Sequence, residues 1–155
     1  MIEARARIER SRELSAPIDQ AWALLQDIPA WGALFPNVET IEPHAEPDAF
    51  VWTMQPLGPP GSKVQTVYGC RYHADGGRHT LSWTPIEGVG TGTFAGRCAL
   101  SATARGGTRG QLAMDATLRI PAPRFMRGVV EPLVQVEMGR MTDTFLKRLD
   151  AALGA

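Results

Sequence analysis

Apolar and polar residues alternate along much of the chain between residues 4 and 120. A period of two residues is typical of β-strands with one buried face. The pattern predicts a first strand at about residues 4–14. Further strands are predicted at roughly 37–45, 48–56, 62–74, 78–84, 92–105 and 108–120. Short clusters rich in Pro and Gly separate these runs, and we expect turns there, at 57–61, 75–77, 88–90 and 106–107.

Two short helices are predicted after the first strand. Pro17 suits the first turn of a helix, and the apolar residues after it repeat at helical spacing. Those residues are Ile18, Ala21, Trp22, Leu24 and Leu25. Pro29 interrupts this pattern, and the next apolar residues indicate a second short helix that ends before Pro36. They are Trp31, Leu34 and Phe35.

The last part of the chain has the pattern of one long helix, from about Pro123 to Leu153. Its apolar residues recur every three or four positions and fall on one side. They are Met126, Val130, Leu133, Val134, Met138, Met141, Phe145, Leu149 and Leu153. Pro132 lies inside this pattern, which continues past it, so we expect a bend rather than an end of the helix.

The order of these elements predicts an α+β fold in a single domain spanning residues 1–155. A run of antiparallel strands followed by one helix favours a sheet that packs against the helix on one face. We expect a curved antiparallel sheet of six or seven strands around the long C-terminal helix. Such a sheet leaves space beneath the helix, and this space predicts a cavity for a ligand.

Composition and charge narrow the function classes. The 155 residues carry 16 basic and 16 acidic side chains, so the formal net charge is zero, and we expect no nucleic-acid partner. The sequence has no run of about 18 apolar residues to span a membrane, and its first residues lack the apolar segment of a signal peptide. We therefore expect a cytoplasmic protein that does not insert into membranes.

Cys70 and Cys98 are the two cysteines of the sequence. The two cysteines lie on predicted strands that are separated by a third strand. Two strand spacings put the cysteines about 9–10 Å apart. This separation is beyond the reach of a disulfide. We expect free thiols that pack as small apolar side chains.

The first forty residues resemble the opening of a known superfamily. The segment Leu14–Trp22 has the pattern of a strand that ends in Ala-Pro and enters a helix with a central aromatic residue. The residues that continue the resemblance are Leu25, Asp27, Trp31, Phe35, Pro36 and Val38. This pattern is similar to that of the START-like superfamily, also called SRPBCC, and the order of elements agrees over essentially the whole chain.

The resemblance implies a helix-grip fold, with two short helices after the first strand and the sheet wrapped around the C-terminal helix. The superfamily includes lipid carriers, plant allergen-like ligand binders, polyketide cyclases and chaperone-activating domains. Because one fold serves several functions, the fold alone does not identify the function.

The alternation of the strands indicates which side chains face the helix. The predicted ligand-binding set is mostly aromatic and aliphatic, with few polar groups, as in most small-molecule pockets. From the strands it comprises Trp52, Met54, Thr66, Tyr68, Tyr72, His79, Trp83, Phe94, Met114 and Leu118. From the helix it comprises Met126, Val130 and Leu133. Each of these residues is also of a type that simply packs a sheet against a helix.

Three polar residues have their own alternatives. The alternation of the first strand puts Arg10 and Arg12 on the helix-facing side, where either is a candidate to hold a ligand carboxylate or phosphate. The alternative is that both arginines are solvated or paired at the surface. An inward His79 could donate a proton or orient a carbonyl, but a lone His beside Trp83 is more often hydrogen-bonded in a core.

The motifs of several enzyme classes are missing from the sequence. His44, His73 and His79 lack the spacing of metal ligands, and no nucleophile elbow or P-loop is present. The inward-facing set also contains no carboxylate for acid–base chemistry. We therefore predict no catalytic residue, no metal and no cofactor.

Three hypotheses for the function follow. The first is a non-catalytic binder or carrier of an apolar small molecule, such as a lipid, an isoprenoid or an aromatic metabolite. The second is an enzyme of the polyketide cyclase/dehydrase kind, which holds a polyketide chain in a reactive conformation. The third is a protein-interaction module. An exposed strand at the sheet edge also makes a homodimer possible.

Overall fold

Seven strands and three α-helices make up the computed structural model, which describes residues 1–57, 60, 61 and 63–154. The strands are β1 (Ile2–Leu14), β2 (Val38–Pro43), β3 (Ala49–Met54), β4 (Val67–Asp75), β5 (Thr80–Gly90), β6 (Gly92–Ala102) and β7 (Thr108–Ile120). The helices are α1 (Ile18–Leu25), α2 (Ile28–Gly32) and α3 (Arg127–Gly154), and a single 3₁₀ turn, Arg124–Met126, precedes α3. Residues 58 and 59 of the predicted turn at 57–61 lie outside the described residues.

The strands form one curled antiparallel sheet in the order β1-β7-β6-β5-β4-β3-β2. The two longest strands pair over their whole length, from Ile2 opposite Ile120 to Leu14 opposite Thr108. With α3 packed along the concave face, this is a helix-grip fold. The predicted α+β class, the seven strands and the two short helices after β1 are confirmed.

Alternation along β1 explains why α3 lies where it does. Ile2, Ala4, Ala6 and Ile8 are buried while their neighbours in sequence are exposed. The same face continues into Arg10 and Arg12, whose guanidinium groups pair with two aspartates of α3. The Arg10 Nε lies 2.7 Å from Asp143 Oδ1, and the Arg12 Nη2 lies 3.3 Å from Asp150 Oδ2.

The outer edge of β1 is covered by side chains of α3. The Glu131 carboxylate accepts a hydrogen bond from the Arg5 backbone N–H at 3.0 Å. The Gln135 amide accepts from the Arg7 N–H at 3.0 Å and donates to the Arg7 carbonyl at 2.7 Å. These bonds satisfy backbone groups that an edge strand otherwise offers to another chain.

The predicted boundaries of β4 and β5 differ from those of the structure. The strand predicted at 62–74 begins only at Val67, and the strand predicted at 78–84 extends to Gly90. The pairing shifts from Tyr68 opposite Gly90 to Cys70 opposite Pro85, so the intervening residues of β5 bulge over Gly69. Gly90 has a φ of 88° and lies tightly against the Val67 carbonyl, which only glycine tolerates. The glycines predicted to form a turn at 88–90 therefore shape a bulged strand end.

An aromatic cluster around Trp31 fills one end of the space between helix and sheet. Its ring centroid lies 5.4 Å from that of Trp52, 5.8 Å from that of Phe145 and 6.0 Å from those of Tyr72 and Trp83. Trp31 is only 2% exposed. Asp27 caps α2, the short helix that carries Trp31, by accepting a hydrogen bond from the Ala30 N–H at 3.2 Å.

Helix α3 divides into two halves. We call residues 127–138 the open half and residues 139–154 the closed half. The structure describes every residue of α3, and all fully buried positions of this helix belong to the closed half. They are Gly139, Thr142, Phe145, Leu146, Leu149 and Leu153. The helix continues through Pro132, as predicted.

Candidate functional site

A cavity of about 380 Å³ lies between the sheet and α3, mainly its open half and the first turn of the closed half. Helical spacing brings one face of α3 over it, because residues three and four positions apart share a side of a helix. The lining residues from α3 are Val130, Leu133, Val134, Glu137, Met138, Met141 and Thr142. Those from the strands are Trp52, Met54, Tyr68, Phe94, Met114, Leu118 and Ile120. The remaining lining residues are Phe35, Gln55, Leu57, Val64 and Thr66.

Two aromatic rings close the inner end of this cavity. Phe35 lines it and stacks on Phe145, with ring centroids 4.1 Å apart and planes within 8° of parallel. Trp52 lines it as well and contacts both Phe35 and Trp31. The cavity therefore ends where the aromatic cluster begins.

Most of the predicted ligand-binding residues lie around this cavity. They are Trp52, Met54, Thr66, Tyr68, Phe94, Met114, Leu118, Val130 and Leu133. These side chains lie on the inward face of the sheet and on the sheet-facing side of α3. That these side chains contact a ligand stays a prediction.

Five predicted residues lie outside the cavity lining. Tyr72 and Trp83 are buried in the aromatic cluster against Trp31. His79 has a φ of 50° just before β5 and meets the edge of Trp22, with ring centroids 5.6 Å apart. Met126 is half-buried in the turn before α3.

Arg12 is the fifth predicted residue outside the cavity. Its guanidinium pairs with Asp150 in the closed half of α3, at the opposite end of the helix from the cavity. The predicted orientation of Arg12 toward the helix is therefore present, but a protein carboxylate is its partner. The physical reason is that a charged group on the inward face must be paired, and α3 supplies the aspartate.

One carboxylate, that of Glu137, belongs to a residue that lines the cavity, although the sequence pattern predicted a lining without carboxylates. Glu137 lies on α3 one turn after Leu133 and Val134 and one turn before Met141. The expectation of a carboxylate-free lining is therefore wrong. The helical spacing from Val130 to Met141 could have identified Glu137 as a lining residue, because positions 130, 134, 137 and 141 share one side of the helix.

Glu137 is held in its ionised form. Arg140 Nη2 donates a hydrogen bond to Glu137 Oε1, and Arg140 Nε donates to Oε2 at 3.1 Å. These hydrogen bonds lower the pKa of the Glu137 carboxyl below its ordinary value. One residue of the cavity lining therefore carries an ionised carboxylate.

Tyr68 is the phenol that lines the cavity. Burial raises the pKa of its hydroxyl well above the ordinary value of 10.0, so the group stays protonated at neutral pH. Nearby, Thr142 is less available to a ligand, because its hydroxyl donates to the Met138 carbonyl at 2.8 Å. Tyr68 and Glu137 thus differ in role, since one can donate a hydrogen bond and the other can only accept.

Cys70 and Cys98 are both free and buried, as predicted. Burial raises the pKa of each thiol to about 12, so neither is a reactive thiolate at neutral pH. Among the described residues, no cluster of His, Cys, Asp and Glu is arranged to hold a metal ion. In the same part of the chain, no helix is long and apolar enough to cross a membrane.

The sheet, the long helix in its concave face and the cavity between them define a START-like protein of the SRPBCC superfamily, as the resemblance implied. A family described as "Polyketide cyclase / dehydrase and lipid transport" matches residues 5–154, and the chain belongs to this family. A search of curated protein sequences finds no match.

Solved structures share the fold at low sequence identity. A START superfamily protein from Mycobacterium smegmatis is 14% identical with a TM-score of 0.71, covering 96% of this chain and 97% of its own. TTHA0849 from Thermus thermophilus is 20% identical with a TM-score of 0.69, covering 96% of both chains. The Zhui aromatase/cyclase from a Streptomyces strain is 15% identical with a TM-score of 0.68, covering 97% of this chain and 94% of its own. At these identities the similarity extends to the fold alone.

Proposed function

We propose that the protein binds an apolar small molecule, such as a lipid, an isoprenoid or an aromatic metabolite, and carries it in the cavity beneath α3. The observation that carries this proposal is a space of about 380 Å³ walled mainly by aliphatic, methionine and aromatic side chains. Ligand pockets typically enclose about 300–1,000 Å³ and are mostly apolar. Burial of ligand surface contributes about 25 cal/mol per Å² before the costs of ordering.

The open half of α3 is the element that would admit the ligand. It has no fully buried residue among its described positions, so moving it costs little core packing. Pro132 removes one backbone donor from the helix, and Gly128 has no neighbouring atom where a Cβ would be. We propose that this half acts as a lid.

The test is a substitution on α3 whose larger side chain fills the cavity. Val134 lines the cavity, whereas Val136 on the same helix is 69% exposed and lies on the outer side. Val134→Trp is expected to reduce binding of the neutral dye N-phenyl-1-naphthylamine at least tenfold, while Val136→Trp binds it as the wild type does. Native mass spectrometry of the purified wild type is expected to show a bound apolar molecule. Equal dye binding by both variants, or a wild type that binds neither dye nor any lipid, would contradict the proposal.

A polyketide cyclase/dehydrase-like activity is the second candidate function. It is supported by the family to which the chain belongs and by Tyr68 and Glu137, a neutral donor and an ionised acceptor that line the same cavity from the sheet and from α3. During aldol closure Tyr68 could polarise a carbonyl by donating a hydrogen bond, and Glu137 could orient the chain by accepting one from it. If the protein is an enzyme, Tyr68→Phe and Glu137→Gln lower turnover of a linear poly-β-ketone more than its affinity. A pure carrier gives no turnover above the uncatalysed rate.

A further inference from the structure

Glu137 is the one carboxylate among the described residues that line the cavity. The other polar side chains of the lining are uncharged; they are Gln55, Thr66, Tyr68 and Thr142. Its neighbours on the same side of α3 are Leu133, Val134 and Met141, all apolar. A single ionised group in an otherwise uncharged and mostly apolar wall has a large influence on which polar end of a ligand fits beside it.

The partner of Glu137 faces a different space. Arg140 lines an outer groove between α3 and β1 together with Arg10 and Asp143, and it is not part of the cavity wall. The guanidinium fork occupies one acceptor position on each Glu137 oxygen, and a carboxylate offers about four such positions. Glu137 therefore has acceptor positions that Arg140 does not occupy, and its side chain is still 40% exposed.

We propose, building on the binding function above, that Glu137 selects the ligand by its polar end: the cavity takes an apolar molecule that carries a hydrogen-bond donor and disfavours the same molecule ending in a carboxylate. A hydroxyl or an ammonium donates to Glu137. A ligand carboxylate has only acceptors, so it sets acceptor against acceptor and negative charge against negative charge.

The experiment compares three probes with the same ten-carbon chain, 1-decanol, decylamine and decanoate, by displacement of N-phenyl-1-naphthylamine at pH 7.5. Decanoate is better solvated by water than decanol is, so a preference of the wild type for decanol is expected for that reason alone. The informative quantity is the change in the affinity ratio between variants. Glu137→Gln is expected to reduce the ratio of decanol to decanoate affinity by about five- to tenfold and to weaken decylamine binding by a similar factor.

Two further variants make the result specific. Asp143→Asn removes another carboxylate of α3 that lies outside the cavity and pairs with Arg10, and it leaves the ratio unchanged. Arg140→Gln removes the cation that partly offsets Glu137, and it increases the ratio.

The outcomes separate this inference from the proposed function. An unchanged ratio in Glu137→Gln, or a wild type that binds decanoate as tightly as decanol, overturns the selection by Glu137 and leaves the binding function standing. A reduced ratio in Arg140→Gln also overturns it. A wild type that binds neither the dye nor any of the three probes overturns the proposed function, and the inference with it.

Discussion

The two halves of α3 belong to one continuous helix but lie over different surroundings. Beneath the closed half, Phe145 packs against Trp31 and Leu149 is buried in the same core. Beneath the open half, Val134 faces the cavity, and Leu133 remains 63% exposed although it also lines the cavity. Large interlocking side chains fill one end of the sheet and leave the other unfilled. The closed half therefore supplies stability, while the open half leaves room for a ligand.

The largest loss of stability is expected from a substitution at the centre of the aromatic cluster beneath the closed half. Trp31→Ala removes the ring that contacts Trp52, Tyr72, Trp83 and Phe145. We expect it to lower the free energy of unfolding by about 3–5 kcal/mol, measured by urea denaturation followed by circular dichroism. Phe125→Ala is the control, because that ring is 83% exposed. A loss below about 1 kcal/mol for Trp31→Ala would mean that the cluster does not hold this end together.

A matched pair of substitutions on α3 compares its two halves directly. Leu149→Ala leaves a cavity in the closed half and is expected to lower the free energy of unfolding by about 2–5 kcal/mol. Leu133→Ala in the open half is expected to change it by less than about 0.5 kcal/mol, because the side chain is already largely exposed. The same urea denaturation series measures both. Equal losses in the two variants would show that the halves do not differ in packing.

The smallest effect is a pH dependence at the closed end. Cys98 is buried in the core, and burial raises the pKa of its thiol from 9.0 to about 12. The folded state therefore holds the proton that the unfolded chain releases. The contribution of the protonated Cys98 thiol to the free energy of unfolding is fully present below pH 9 and is lost as the pH rises from 9 toward 12. At pH 10 the loss is on the order of 1 kcal/mol.

Cys98→Ala isolates this contribution. Between pH 8 and pH 10 the variant is expected to lose roughly 1 kcal/mol less free energy of unfolding than the wild type loses, whatever its stability at pH 8. Cys70 stays in place in both proteins and contributes equally. Identical losses in wild type and variant would show that the Cys98 thiol does not titrate with unfolding.

Prediction from the sequence succeeded where a local repeat carries the information. The alternation in β1 and β7, the Pro17 start of α1 and the run of α3 past Pro132 are all visible in the residues themselves. It was less accurate at β4 and β5, because the bulge over Gly69 depends on pairing between residues that are about twenty positions apart. No pattern within either strand specifies that shift.

The same limit applies to the candidate site. Alternation identifies which face of a strand is inward, but Tyr72 and Trp83 share that face with Tyr68 and Phe94. Only the position of Trp31 decides that the first two are packed core, while the second two border empty space. Glu137 shows the reverse case, because it lines the cavity although the inward-facing set predicted from the sequence did not include it.

The sequence by itself determined the fold class, the number and order of the elements and the apolar character of the inward face, since these depend on periodicity within short segments. Only the tertiary structure determined which inward residues border the cavity. It also determined which carboxylate pairs with Arg12, and that Glu137 is a lining residue. The physical reason is that a cavity is space that side chains from distant segments leave unfilled. Its position therefore depends on how Trp31, Phe35 and Phe145 pack together rather than on any one of them.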